Sequence, residues 1–177
     1  MQALSDTQSC AALWRSFAAK AEALGTSVRL VADEDDASAL LANASAGPAC
    51  TQGVAESFPR VAERCAGKTA AGVVAADVVA AGTIAVAETG SVLLHEARAD
   101  RGACFLADRL WLLVRADRVV PTLDAAFERV ATLVRDGARY LTLMSGPSRT
   151  ADIERVLTIG VHGPRELTVV VVGESAG

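Results

Sequence analysis

The chain has 177 residues, of which 51% are apolar and 21% charged, and its formal net charge is −4. This balance excludes disorder, which needs low hydrophobicity and high net charge, and a chain of this length buries roughly 70% of its unfolded surface without metal or disulfide support. The arginines alternate with acids, leaving no basic face for nucleic acid, and the apolar stretch after Thr69 is broken by Asp77, leaving only ten residues before Glu88, too few for the roughly 20 that span a bilayer.

In chain order, Leu13, Trp14, Phe17, Ala18, Ala21 and Leu24 recur at helical spacing and predict a helix from Ser9 to Leu24, stopped by Gly25. Ser27–Ala32 reads as a strand. The acidic run from Asp33 opens a second helix that reaches about Ala44, and Gly47-Pro48 breaks it. A strand near Ala49–Val54 and a helix ending near Gly67 repeat the alternation. Val73–Val74 and Thr83–Ala87 read as strands, and Thr89-Gly90 turns the chain into a hairpin partner, Ser91–His95. Leu110–Val114 is a strand. Thr122 caps a helix whose stripe is Leu123, Ala126, Phe127, Val130, Leu133 and Val134, closed by Gly137. Tyr140–Met144 is a strand, Arg149–Leu157 a helix, and Leu167–Val172, with its run of valines, has the two-sided apolarity of a buried parallel strand. This alternation predicts a single α/β domain over residues 1–177 with a mostly parallel sheet.

The first residues show neither a cationic start nor an apolar run, so a cytoplasmic location is expected. Cys10, Cys50, Cys65 and Cys104 form no Cys-x-x-Cys pair. They read as isolated buried apolar residues, with no metal site. Two short motifs fail on context. Ala62–Thr69 approaches a phosphate-binding loop, but it follows a helix and lacks the first glycine, so Lys68 reads as a solvated cation. Gly173–Gly177 matches G-x-S-x-G with no acid or histidine after it, so Ser175 is not read as a nucleophile.

Three polar, glycine-rich segments lie just beyond strands: Ala87-Glu88-Thr89-Gly90-Ser91, Ser145–Asp152, and Val161–Glu166. The second suits an anion. Ser145, Gly146, Ser148, Arg149, Thr150 and Asp152 lie at an expected helix start, where exposed amides, the helix dipole and a guanidinium favour a carboxylate or phosphate. The alternative is that Ser148 only caps the helix and Gly146-Pro147 only turns the chain. Glu88, amid apolar neighbours, reads as a nucleophile or base raised by burial, or as a hydrogen-bonded carboxylate at a tight turn. His162 reads as an acid–base group or as a loop residue bonded to backbone; Arg165, beside Glu166, reads with Arg149 as a carboxylate clamp, or Arg165 and Glu166 form only an exposed pair. His95 is read as having no functional role.

These segments, together with S-G-P-S-R-T-A-D-I-E from Ser145 and G-V-H-G-P-R-E-L from Gly160, resemble the signatures of the LutC/YkgG family of lactate-utilization proteins, the LUD domain. The resemblance runs from about Thr83 to Val172. It implies a three-layer α/β sandwich like the NagB/RpiA/CoA-transferase superfamily, with a front-end element missing or remodelled. It also implies a part in oxidising L-lactate to pyruvate beside iron–sulfur oxidoreductase subunits. The clusters would sit on those partners and no cofactor on this chain, which would bind a small carboxylate. The alternative is a stand-alone acyl- or CoA-transferase-like enzyme, since Glu88-Thr89-Gly90 is similar in kind to the glutamate turn of some CoA-transferases. Thr89, Gly90 and Ser91 would then line the same site.

Overall fold

A computed structural model describes residues 2–45, 47–65, 70, 76–150, 158–159 and 163–173. Helix α1 (Gln2–Ala23) leads into β1 (Ser27–Val31), with Gly25 at φ 85° closing the helix as its sequence position predicts. Helix α2 (Glu34–Ala44) is capped by Asp33, whose carboxylate accepts the Asp35 and Asp36 amides. The acidic run is therefore a helix start, where negative charge meets the positive end of the dipole.

Next come β2 (Ala49–Cys50), α3 (Gln52–Ser57) and α4 (Pro59–Arg64). The strand is shorter than expected. Thr51 N–H makes its last bond, to Val79, and the Gln52 amide turns to the Asp100 carboxylate, so the chain coils into α3. The long strand β3 (Asp77–Val86) turns at Thr89-Gly90 into β4 (Ser91–His95), as the hairpin reading anticipates. Helix α5 (Arg98–Leu106), which sequence reading missed, is followed by β5 (Arg109–Arg115) and β6 (Val119–Val120). Then come α6 (Leu123–Arg135), β7 (Leu141–Met144), β8 (Arg149–Thr150), β9 (Thr158–Ile159) and β10 (Glu166–Val172).

The main sheet runs β1-β10-β5-β3-β4-β7, with β2 and β6 also paired to β3. Pairing is parallel from β1 through β3 and antiparallel at β3–β4 and β4–β7. Thus β7 joins the sheet by an antiparallel edge. Its expected first residue, Tyr140, has φ 60° and stays outside the strand, because left-handed backbone cannot continue a pleat. As the valine run predicts, β10 lies between β1 and β5, with Val169, Val170 and Val171 buried.

Helices cover both faces. Trp14, Phe17 and Ala21 of α1 pack with Ala103 and Cys104 of α5, while Leu41, Val54, Phe58 and Val61 of α2–α4 pack in a second core. A third, smaller core of Ile84, Val86, Leu93, Val120 and Ala126 lies under α6. This small patch covers only part of the expected α6 stripe: Leu123, Val130 and Leu133 pack, but Phe127 is 59% and Val134 47% exposed.

The cysteines correct the sequence reading. Cys50 and Cys65 form a disulfide, leaving Cys10 and a buried Cys104 as free thiols. The second half of the phosphate-loop-like motif, including Lys68, lies outside the described residues, as do Val73–Val74 and Ser175. Among the described residues no helix is long and apolar enough to cross a membrane.

Candidate functional site

The tight turn after β3 presses on the C-terminal end of α1. Gly90 has φ 66°, and a Cβ there would stand 2.5 Å from the Ala21 amide nitrogen. No residue with a side chain fits such an approach in that conformation. Gly146, at φ 82°, meets the same helix end, where its Cβ would lie 3.0 Å from the Leu24 carbonyl oxygen. Two of the three polar segments thus converge on one helix terminus, and a hydrogen bond joins them: Ser91 Oγ and Ser145 Oγ are 2.5 Å apart. The third segment is tied in by Ser148 N–H, which donates to the Pro164 carbonyl at 2.8 Å, with Gly163 close against the Ser148 side chain.

The Thr89 hydroxyl is buried and has no hydrogen-bond partner among the described residues, in the same turn as the Ser91–Ser145 contact. A buried hydroxyl without a partner is uncommon in folded proteins, and a bound polar group would satisfy it. Arg165 pairs with Asp108 at 3.5 Å on the surface, and the Arg165 and Glu166 amides hold the Asp108 carbonyl at the amino end of β10. Asp152 and His162 lie outside the described residues.

Two expectations are corrected. Arg149 and Thr150 do not begin a helix. Their backbone pairs antiparallel with Thr158–Ile159, and the rest of the expected helix, residues 151–157, lies outside the described residues. Glu88 is exposed rather than buried, and its Oε2 accepts the Leu123 amide at 2.9 Å, at the start of α6. That contact, with Thr122 Oγ1 accepting the Ala125 amide, secures the helix N-terminus.

A second polar group went unnoticed in the sequence. Glu96 is 4% and Asp100 2% exposed. Glu96 Oε1 accepts the Thr51 hydroxyl at 2.7 Å and the Ala81 amide at 3.1 Å, replacing the strand partner that Ala81 loses where β2 ends. Burial pushes the Glu96 carboxyl above the usual range, and the Asp100 charge adds to this; the Thr51, Ala81 and Gly53 donors oppose both without cancelling them. Of these donors Thr51 and Ala81 meet hydrogen-bond geometry, and Oε2 has no partner among the described residues. The available signal was partial: Asp100 and Cys104, four residues apart, share one face of α5, whereas Glu96 precedes the helix.

A family model described as the LUD domain matches residues 66–172. Lactate utilization protein C of Deinococcus radiodurans is 47% identical over 93 residues, covering 51% of this chain and 43% of that protein. The same-named protein of Macrococcus caseolyticus is 32% identical over 95 residues, covering 51% and 41%, and the uncharacterized protein YkgG of Escherichia coli is 32% identical over 78 residues, covering 42% and 34%. The matched stretch is therefore less than half the length of these relatives. The crystal structure of a DUF162 family protein from Deinococcus radiodurans superposes with a TM-score of 0.65 at 26% identity, covering 93% of this chain and 98% of that one. The α/β sandwich and the signature segments agree with a family match over more than half of the sequence, and the chain belongs to the LUD domain family.

Proposed function

We propose that residues 1–177 act as one unit in a cytoplasmic lactate-utilization system that oxidises L-lactate to pyruvate. In this reading the chain is a non-redox component beside iron–sulfur oxidoreductase subunits, and it binds a small carboxylate or other anion where its polar segments meet. The observation behind this reading is the Ser91–Ser145 hydroxyl contact with the unpartnered Thr89 hydroxyl in the same turn. Hydroxyls and backbone amides gathered around glycines suit an oxyanion. Gly90 and Gly146 allow the close approach, and Ser148, Arg149, Thr150, Asp152, His162, Arg165 and Glu166 belong to the same proposed surface. The names of the curated relatives support the lactate assignment. The test is reconstitution: adding the purified chain to iron–sulfur partners should restore lactate-dependent electron transfer, and Ser145→Ala should weaken anion binding measured by calorimetry. A chain that restores nothing in any combination of partners would remove this reading.

A second reading is favoured by the exposure of Glu88, which leaves its carboxylate reachable at the hairpin turn. There the chain is an acyl-transfer enzyme with Glu88 as the catalytic nucleophile, and turnover of an acyl-CoA by the chain alone distinguishes it from the first reading.

A further inference from the structure

A cavity of ≈ 490 Å³ opens between α2 and α4, with Ser38, Leu41, Ser45, Val61, Arg64 and Cys65 in its lining. Its size falls within the roughly 300–1,000 Å³ of small-molecule pockets. Cys65 is one half of the disulfide with Cys50. It lines this cavity, whereas Cys50, at the end of β2, is not part of the described lining. The two halves of the bond are thus unequal: an incoming group meets Cys65 first.

Charge selects what can enter. Among the described lining residues Arg64 is the only charged one. Its side chain is 63% exposed, and its acid neighbour Asp35 stands 3.5 Å away and is already held by Arg60. The Ser38 and Ser45 hydroxyls are committed to the Glu34 carbonyl and to the Asp77 carboxylate. Arg64 is therefore the polar side chain among them that can turn to a ligand. A guanidinium beside a disulfide draws an anion and raises the thiolate fraction of an approaching thiol, and the thiolate is the species that attacks a disulfide.

We propose that Cys65 is a site of reversible S-thiolation by an anionic low-molecular-weight thiol, whose carboxylate pairs with Arg64 in the α2–α4 cavity. The ligand thiolate forms a bond to Cys65 Sγ, the Cys65–Cys50 bond breaks, and its electron pair leaves on Cys50 Sγ, which takes a proton from water. The ligand sulfur is oxidised and Cys50 is reduced, so no further oxidant enters. When the thiol is withdrawn, Cys50 attacks Cys65 and restores the tie between β2 and α4. The site shares no residue with the Ser91–Ser145 cluster and needs nothing from the lactate reading, so either can fail alone.

The experiment treats the folded full chain with millimolar reduced glutathione, stops the reaction at successive times with iodoacetamide and maps each cysteine by peptide mass spectrometry. A reduced thiol adds to a disulfide and not to a free thiol, so Cys10 and Cys104 do not take it up. Glutathione should appear on Cys65 and the iodoacetamide label on Cys50. At equal thiolate concentration glutathione should react at least about threefold faster than the cationic thiol cysteamine, the effect of one exposed charge pair. Arg64→Gln should erase that difference, and its exposed side chain makes it safe for folding. An intact disulfide, an adduct on Cys50, or release of both cysteines with no adduct at any time would overturn the proposal. So would equal rates for the two thiols, or a difference that persists in Arg64→Gln. Labelling of the buried Cys104 in step with the exchange would overturn it too, because the reaction would then run through the unfolded chain.

Discussion

Ser91 Oγ and Ser145 Oγ stand 2.5 Å apart, joining the hairpin turn after β3 to the loop after β7. Ser91 is almost wholly buried. Removing one partner leaves the other hydroxyl unpaired, which costs about 1–3 kcal/mol. Ser145→Ala should therefore lower the unfolding free energy by about that amount, as read from urea melts, and should weaken anion binding at the same time. Unchanged stability would show that the contact contributes nothing.

Gly90 cannot accept a side chain. At φ 66°, with the α1 backbone 2.5 Å from a would-be Cβ, Gly90→Ala adds left-handed strain to a backbone clash. The two together should cost about 3 kcal/mol or more, visible as a large fall in Tm. At Gly102 a Cβ meets nothing within 4 Å, and in the middle of α5 Gly102→Ala should stabilise by about 0.5–1 kcal/mol.

The Asp77–Arg109 pair makes stability depend on pH. Burial pushes the Asp77 carboxyl up, but the Arg109 and Ser45 hydrogen bonds and the Arg109 charge outweigh it and hold the group below its usual value. The contacts are Arg109 Nε to Oδ1 at 2.5 Å and Nη2 to Oδ2 at 2.7 Å. A depressed carboxylate stabilises the fold above its unfolded pKa of about 3.9, and that contribution disappears as pH falls through the lower folded value. Asp77→Asn should thus cost about 1–2 kcal/mol near neutrality, discounted for the exposure of Arg109, and progressively less in acid. Glu96 runs the other way. Its raised carboxyl contributes stability that is complete below about pH 4.3 and is lost as pH rises through the folded value. Denaturant melts of Glu96→Gln across this range should be flatter on the neutral side than those of the wild type.

Glu88 holds the start of α6 through the Leu123 amide. Glu88→Ala should cost about 0.5–2 kcal/mol, the usual value of a helix cap, whereas Glu88→Gln keeps an acceptor and should melt near the wild type. A folded Glu88→Gln chain is thus a clean reagent for the acyl-transfer reading. If the wild type turns over acyl-CoA and this variant turns it over equally well, Glu88 is not the nucleophile.

Burial, reinforced by the Glu96 and Asp100 charges, pushes the Cys104 thiol up to about 12. A thiol so far from ionisation is a poor nucleophile. Cys104 should stay unalkylated by iodoacetamide at pH 8 in the native chain and react once the chain is unfolded, as read by peptide mass spectrometry. Rapid native labelling would show that the α5 face opens.

The local pattern was enough to mark α1, α2, the β3–β4 hairpin, α6 and β10. Their signals are local: apolar residues every three or four positions, Asp33 and Thr122 as caps, Thr89-Gly90 as a turn, and valines too numerous for a strand with a wet face. The signature segments likewise carried the family assignment by their residue order. What the sequence could not express was proximity. Nothing in the spacing of Ser91 and Ser145 says that their hydroxyls touch, because that depends on β7 joining the sheet by its antiparallel edge beside β4. Nor does it say that Glu96 replaces a missing strand partner at Ala81, or that beyond the end of β2 at Cys50 the Gln52 amide goes to Asp100, 48 residues further on. Helix starts, turns and buried strands are decided by neighbours in the chain. The meeting of the polar segments and the burial of the Glu96 carboxyl against Gly53 were decided by hydrogen bonds between residues tens of positions apart, which form only when the sheet closes around β3.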